Sequence, residues 1–185
     1  MGIASSAGGL QAVSKVISGI PSDFAATILL VQHLYPRYRS NMAEILSRHT
    51  ALKVSEAAEG DLPAAGHLYV AVPDKHLVVN SEHSISLSKA PAKRYLRPSA
   101  DLLFESIAQH FSHHAIVVVL SGTGSDGSLG VQAIKKMGGV TIAQDEASSE
   151  FFGMPHSAIQ TGNVDLVLPL EEIANALCTL VGKKG

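Results

Sequence analysis

The sequence predicts an α/β fold: a doubly wound, mainly parallel β-sheet with helices on both faces and an inserted antiparallel hairpin. Apolar runs that suit buried strands alternate along the chain with segments whose apolar residues recur at helical spacing. Hydrophobic residues make up 46% of the chain but aromatic residues only 5%, so the core must be built from small aliphatic side chains. Such a core is typical of parallel strands that are covered by helices.

The first third of the chain predicts two strands and two helices. Residues 1–4 resemble the end of a strand, shorter than the five or six residues that are usual, as expected of a fragment of a longer chain. A Gly-rich turn then leads into helical spacing over residues 10–17. Residues 25–33 form an unbroken apolar run that ends at His33, which indicates a strand buried on both faces. A helix is predicted over residues 41–49.

The middle of the chain changes character. Between residues 53 and 87 the pattern favours short strands, at 67–71 and 76–79, separated by turn residues. We expect the antiparallel hairpin to be inserted here. Ser99 is then in position to cap a helix over residues 100–111.

The last third returns to alternating strands and helices. The strongest strand pattern in the chain covers residues 115–120 and leads into a Gly-rich loop, which is followed by a predicted helix over 129–137. Two short strands are predicted at 140–143 and 164–168. A helix over 171–181 closes the pattern.

Size and charge limit the possible function classes. With 185 residues and 19.4 kDa, the chain is predicted to form one domain over residues 1–185. The 14 basic and 16 acidic side chains are dispersed and give a net charge of -2, which argues against a nucleic-acid partner.

Cysteine content and hydropathy predict the compartment. Cys178 is the only cysteine, so an intramolecular disulfide is impossible, and the N-terminus lacks a signal-peptide pattern. No apolar run reaches the roughly 18 residues that a membrane helix needs. We expect a soluble cytoplasmic protein with no membrane insertion. Motifs with metal-ligand spacing are missing, so neither a metal nor an organic cofactor is predicted.

Three chemically complementary residues follow three of the predicted strands. Ser6 follows the first strand, His33 ends the second, and Asp126 lies in the Gly-rich loop after the strand at 115–120. Because loops beyond the carboxyl ends of parallel strands meet at one edge of the sheet, the three can converge there. A serine nucleophile needs a base, and the base needs a carboxylate to orient it. The sequence therefore predicts a serine hydrolase, in which the Ala7 N–H is placed to stabilise an oxyanion.

Each of these residues also has an ordinary structural explanation. Ser6 can be a helix cap, His33 a hydrogen-bonded histidine at the edge of the core, and Asp126 a turn residue. Spacing alone leaves these explanations open.

Several motifs together resemble the catalytic domain of the protein-glutamate methylesterase of bacterial chemotaxis. The resemblance covers nearly the whole chain, in both order and spacing. It is carried by residues 2–9 (GIASSAGG), 31–33 (VQH), 70–76 (VAVPDKH), 97–104 (RPSADLLF), 120–127 (LSGTGSDG), 143–146 (AQDE) and 153–155 (GMP).

The resemblance implies a role for each candidate residue. It selects Ser6, two positions before the paired glycines, as the nucleophile, His33 as the base and Asp126 as the orienting acid. The implied activity is hydrolysis of methyl esters on glutamates of chemoreceptor cytoplasmic helices, together with deamidation of receptor glutamines, without a metal or cofactor. Family members usually carry a receiver domain that blocks the site until it is phosphorylated. Nothing in this chain corresponds to one, so regulation by a fused or separate domain is expected.

The chain departs from the family pattern at two places. Thr123 replaces a methionine that commonly lines the site, so its backbone N–H is retained as a pocket donor while the pocket wall changes. Residues 34–36 (LYP) replace a tighter Met-Pro, which alters the expected shape of the entrance.

Two non-catalytic hypotheses compete with the esterase. Residues 5–9 before a helix are compatible with an anion- or nucleotide-binding module, although the turn lacks a Walker lysine and a Gly-x-Gly-x-x-Gly motif. The other hypothesis is a catalytically silent regulatory module that docks on receptors.

Overall fold

A seven-stranded sheet organises the chain in the computed structural model, which describes residues 1–33, 41–91 and 96–182. The strand order is β3-β4-β2-β1-β7-β8-β9, and every pairing in this sheet is parallel. The strands are β1 (Gly2–Ser5), β2 (Ile28–Gln32), β3 (Lys53–Glu56), β4 (His67–Val70), β5 (His76–Val79), β6 (Ile85–Ser88), β7 (Ile116–Val119), β8 (Val140–Gln144) and β9 (Leu166–Leu168).

Helices connect the strands of this sheet. They are α1 (Gly9–Ser18), α2 (Met42–Ser47), α3 (Ala100–Phe111), α4 (Ser128–Lys136), α5 (Gly153–Ile159) and α6 (Leu170–Gly182), with a short 3-10 turn at Ser112–His114. The predicted α/β class, with a mainly parallel sheet and helices on both faces, is confirmed.

Each face of the sheet carries its own apolar core because successive strand residues point to opposite sides. In β7, Ile116 and Val118 pack with α1, α2 and α6, while Val117 and Val119 pack with α3, α4, α5 and the hairpin. The largest fully buried side chain, Phe104 of α3, lies in the second core. The strands are apolar on both sides for this reason, and their continuous aliphatic runs were the strongest signal in the sequence.

The antiparallel hairpin is present, but one of its expected strands belongs to the main sheet. Strands β5 and β6 form the hairpin, with His76 opposite Ser88. The segment at 67–71, expected beside 76–79, contributes β4, which pairs in parallel with β2 and β3. The sequence did not predict β3, because its exposed Lys53 and Glu56 mark it as an edge strand with a weak apolar pattern.

Two of the helices that follow strands, α1 and α4, begin after glycines with left-handed backbone angles. Gly8 precedes α1 with a φ of 70°, and Gly127 precedes α4 with a φ of 97°. Glycine adopts this region without the steric strain that a Cβ introduces, so the chain can turn sharply from strand to helix. These turns bring both helix starts to the carboxyl edge of the sheet. None of the described helices is long and apolar enough to cross a lipid bilayer.

Candidate active site

The backbone register brings Ser6 and His33 onto neighbouring strands. In the parallel pair β1–β2, Ser5 lies opposite Gln32, and the His33 N–H donates to Ser5 O at 3.0 Å. Ser6 and His33 are therefore the first residues beyond the last paired positions of adjacent strands. Both side chains begin at the carboxyl edge of the sheet, where the sequence predicted that they would meet.

Asp126 contacts the imidazole of His33 from the loop after β7. His33 Nε2 lies 2.8 Å from Asp126 Oδ2, and the side chains of His33 and Asp126 are only 10% and 3% exposed. The structure therefore brings two of the three predicted residues into direct hydrogen-bond contact. Among the described residues, no hydrogen bond joins the Ser6 hydroxyl to His33.

The start of α3 holds the Asp126 carboxylate from its other side. Ser99 Oγ donates to Asp126 Oδ1 at 2.9 Å, the Ala100 N–H donates to Oδ2 at 2.6 Å, and the Asp101 N–H donates to Oδ1 at 3.0 Å. The first N–H groups of a helix have no partner within the helix, so they are available to an incoming carboxylate. The orientation of Asp126 is thus fixed by donors that belong to another element.

These donors keep Asp126 ionised despite its burial. Burial alone raises the pKa of a carboxyl group, but hydrogen bonds from His33 and from the Ala100 and Asp101 N–H groups outweigh it. The pKa of Asp126 is lowered from 3.8 to about 2. At neutral pH the carboxylate is therefore negative and can stabilise a positively charged imidazole.

The Gly-rich loop after β7 passes directly beside Ser6. The Ser6 N–H donates to Ser121 O at 3.0 Å, and Ser121 Oγ donates to Ala7 O at 2.9 Å. A Cβ added to Gly122 would lie 2.9 Å from Ser6 Cβ and would overlap Met154 Sδ. Only a glycine at this position leaves room for the loop to approach the serine so closely.

Ala7 and Thr123, the two predicted pocket residues, directly follow Ser6 and Gly122 in the chain. Ala7 is half-buried and Thr123 is exposed. In the part of the chain that the structure describes, neither backbone N–H is used in a hydrogen bond. Two backbone donors beside Ser6 therefore remain available for an oxygen that carries negative charge.

Comparisons with known proteins give the family of the chain. The family model described as CheB methylesterase matches residues 1–177. The chain belongs to the CheB methylesterase family. Among solved structures, the CheB methylesterase catalytic domain of Thermotoga maritima has a TM-score of 0.94 at 34% sequence identity, with 97% of this chain and 96% of that chain covered.

Curated relatives of the CheB methylesterase family carry concordant names. A protein-glutamate methylesterase/protein-glutamine glutaminase of Pyrococcus horikoshii is 43% identical over 182 residues, which cover 97% of this chain and 50% of the relative. The protein-glutamate methylesterase FrzG of Myxococcus xanthus is 43% identical over 175 residues, which cover 95% of this chain and 52% of the relative. The chain spans about half the length of the curated relatives it matches.

Sequence reasoning missed the partners of Asp126 in this CheB-family chain. Ser99 was expected to cap α3 with its own side chain, but its hydroxyl donates to Asp126 and makes no cap hydrogen bond. In return, Asp101 Oδ1 accepts from the N–H groups of Gly127 and Gly130 at the start of α4, both at 2.9 Å. The serine and aspartate at the start of α3 were visible in the sequence, but their partners depend on the packing of α3 against α4.

The surroundings of the remaining polar residues of these motifs, and of His156 nearby, are as follows. Arg97 Nε and Nη2 donate to Asp74 Oδ1 at 2.9 and 2.5 Å, and Asp145 accepts from the Ser148 N–H at 3.0 Å. His76 is fully buried, and burial lowers its pKa, while His156 is exposed on α5.

Residues 34–36, for which an altered entrance was predicted, lie outside the described residues. Within the described ranges, no group of three or more His, Cys, Asp or Glu side chains could hold a metal ion.

Proposed function

We propose that this chain is a serine esterase that hydrolyses methyl esters of glutamate side chains on chemoreceptors, with Ser6, His33 and Asp126 as its catalytic residues. The observation that carries the proposal is the partly buried hydrogen bond between His33 and Asp126, one strand away from Ser6. An imidazole held by a buried carboxylate, beside a half-buried serine, supplies the base and the orienting group that a hydroxyl nucleophile requires.

The hydrogen bond to Asp126 determines which ring nitrogen acts as the base. Because Nε2 of His33 donates to the carboxylate, Nδ1 is unprotonated in the neutral ring and is the nitrogen that accepts the proton of Ser6. In the serine protease template the roles of the two nitrogens are exchanged, yet the order hydroxyl, imidazole, carboxylate is the same. The negative charge of Asp126 stabilises the imidazolium that forms.

The reaction then follows the acyl-enzyme course. Ser6 Oγ bonds to the ester carbonyl carbon as its proton moves to His33, and the resulting oxyanion is held by the Ala7 and Thr123 N–H groups. The C–O bond to the methoxy group breaks, and the imidazolium returns the proton so that methanol leaves. Water next attacks the acyl-enzyme with His33 as base, which releases the glutamate carboxylate and restores Ser6. A glutamine side chain follows the same course with ammonia as the leaving group.

The names of the relatives support this choice of substrate. Two of them are a protein-glutamate methylesterase/protein-glutamine glutaminase and a protein-glutamate methylesterase. We therefore assign residues 1–185 as the catalytic unit, methylated cytoplasmic helices of chemoreceptors as its protein substrate, and the cytoplasm as the place where they meet. Control of the unit by a fused or separate regulatory domain belongs to the same proposal.

The proposal is tested by methanol release from methylated receptor membranes. We expect wild-type protein to release methanol and Ser6→Ala to reduce the rate at least about 10³-fold, because the nucleophile is lost. Ser18→Ala removes an exposed hydroxyl at the other end of α1, where it donates to Lys15 O, and should leave the rate unchanged.

Two outcomes would contradict the proposal. A Ser6→Ala protein that releases methanol at the normal rate would exclude Ser6 as nucleophile. A folded wild-type protein that binds receptor membranes but releases no methanol would favour a docking module instead.

A further inference from the structure

A single buried amide connects the backbone of Ser6 to the backbone of His33. Gln32 Nε2 donates to Ser6 O at 2.7 Å and to His33 O at 3.3 Å. A primary amide carries two N–H donors, and here both reach carbonyl oxygens of the two residues on which the proposed chemistry depends. Gln32 is only 6% exposed, so these hydrogen bonds form away from water, where leaving one unmade is costly.

Ser5 fixes the direction in which this amide points. Ser5 Oγ donates to Gln32 Oε1 at 2.5 Å, and Ser5 is fully buried. A hydroxyl that donates to the oxygen end of the amide leaves the nitrogen end facing Ser6 and His33. The amide can then act only as a donor towards those two residues.

Gly9 provides the space that this amide occupies. A Cβ added to Gly9 would overlap Gln32 Oε1 and would lie 2.7 Å from Ser5 Cβ. The Gly9 N–H also donates to Ser6 O at 2.8 Å, so Ser6 O accepts from both Gly9 and Gln32. The turn after β1 is thus held from both sides at the carbonyl of Ser6.

The position of Gln32 explains why a side chain is needed at this point. Ladder pairing between β1 and β2 ends at the Ser5–Gln32 pair, and beyond it the His33 N–H still donates to Ser5 O. The Gln32 amide continues the connection by one residue on each strand. We propose that Gln32, oriented by Ser5, is a positioning residue that sets the separation between the Ser6 hydroxyl and the His33 imidazole. This inference rests on the proposed function.

Gln144 offers a matched control at the end of a different strand. It is a fully buried glutamine at the carboxyl end of β8, where Oε1 accepts from the Ser121 N–H at 2.9 Å and Nε2 donates to Ser148 O at 2.7 Å. Replacing either glutamine by methionine removes a buried amide of similar volume. Only Gln32 contacts Ser6 and His33 directly. Gln144 reaches Ser6 only through Ser121, whose backbone O accepts from the Ser6 N–H, so the comparison separates direct positioning from the loss of a buried amide one contact further away.

The test compares kcat, KM and melting temperature of Gln32→Met and Gln144→Met in the methanol-release assay. We expect similar decreases in melting temperature, but a kcat at least about 10-fold lower for Gln32→Met than for Gln144→Met, with KM within about two-fold. Displacing reacting groups by about 1 Å can cost about 10²-fold in rate. Equal kcat losses in the two variants would overturn the inference.

A second variant decides the matter if Gln32→Met does not fold. Ser5→Ala removes only the hydroxyl that orients the amide, and we expect a folded protein with a several-fold lower kcat and an unchanged KM. A wild-type kcat for folded Ser5→Ala would overturn the inference.

Ser6→Ala distinguishes the two failures. If Ser6→Ala remains active, the proposed function fails. If Ser6→Ala is inactive while Gln32→Met behaves like Gln144→Met, only the role of Gln32 fails.

Discussion

The two edges of the main sheet use similar residues for different purposes. At the carboxyl edge, Asp126 accepts hydrogen bonds from backbone and hydroxyl donors and contacts the imidazole of His33. At the amino edge, Asp165 likewise accepts from the Thr141 N–H and hydroxyl, but its charged partner is Lys135. The side chain of Asp126 is 3% exposed and that of Asp165 is 27% exposed. Similar donors therefore produce a buried acid–base pair at one edge and a surface ion pair at the other.

A cavity lies at the edge of the sheet opposite to the proposed catalytic residues. This cavity of about 480 Å³ lies towards the amino ends of the central strands, lined mainly by apolar residues such as Leu29, Ile107 and Phe111. None of the proposed catalytic residues lines it. The carboxyl edge is identified instead by its buried and mutually hydrogen-bonded polar side chains, which include Ser5, Gln32, Ser99 and Asp126. Hydrogen-bonded polar groups, and not open volume, distinguish the site in this molecule.

The largest expected effect comes from removing the charge of Asp126. In Asp126→Asn, the amide oxygen takes the place of Oδ1, where it accepts from the Ser99 hydroxyl and the Asp101 N–H, so the NH₂ group takes the place of Oδ2 and faces His33 Nε2. The ring is then forced into the tautomer with its proton on Nδ1, which cannot accept a proton from Ser6. We expect kcat for methanol release to fall about 10³- to 10⁴-fold, with the fold retained by circular dichroism. A loss below about ten-fold would contradict the role of Asp126.

The outline of the fold could be predicted because it depends on local patterns. Continuous aliphatic runs mark β2 and β7, which are buried on both faces, and helical spacing marks α1 and α3. Strand β3 was not predicted because it forms the edge of the sheet and carries exposed charges, and β6 was not predicted because it depends on pairing with β5. Predicted boundaries elsewhere differ by one or a few residues, where helix and strand ends depend on their neighbours.

The candidate site could be predicted only in part for the same reason. Ser6, His33 and Asp126 were predicted because chemically complementary residues follow strands that end at one edge. The contacts of Gln32 and Ser99 were not predicted, because a glutamine at a strand end and a serine before a helix have many local explanations. Both residues make long-range contacts: Gln32 contacts Ser6 at a sequence separation of 26 residues, and Ser99 contacts Asp126 at a separation of 27. No local pattern encodes such contacts.

A smaller effect is expected on stability in acid. The folded-state pKa of Asp126, about 2, is below its ordinary value of 3.8, so the native state binds this proton less readily than the unfolded state. The resulting stabilisation is complete well above pH 4 and is lost as the pH falls towards 2. Its size is on the order of 2 kcal/mol. Urea denaturation between pH 6 and pH 2.5 should therefore show a steeper decline of the free energy of unfolding for wild type than for Asp126→Asn. Parallel curves would contradict this expectation.

The smallest effect is expected at the amino edge, from Asp165→Asn. The ion pair with Lys135 lies at the surface, and such pairs contribute about 0 to 1 kcal/mol. The free energy of unfolding should decrease by about 1 kcal/mol, and kcat should stay within two-fold of wild type. Urea denaturation and the methanol-release assay measure the two quantities. A large loss of kcat in a stable Asp165→Asn protein would break the functional distinction between the edges.

The central claim is that the Ser6 hydroxyl is the group activated by the His33–Asp126 pair, and covalent labelling tests it most directly. A fluorophosphonate probe reacts with activated serines, and peptide mapping by mass spectrometry identifies the modified residue. We predict a single adduct on Ser6 in wild type, no adduct in Ser6→Ala, and much slower labelling in Asp126→Asn. An adduct on a different serine, or labelling of Ser6 at the same rate in wild type and Asp126→Asn, would contradict the account.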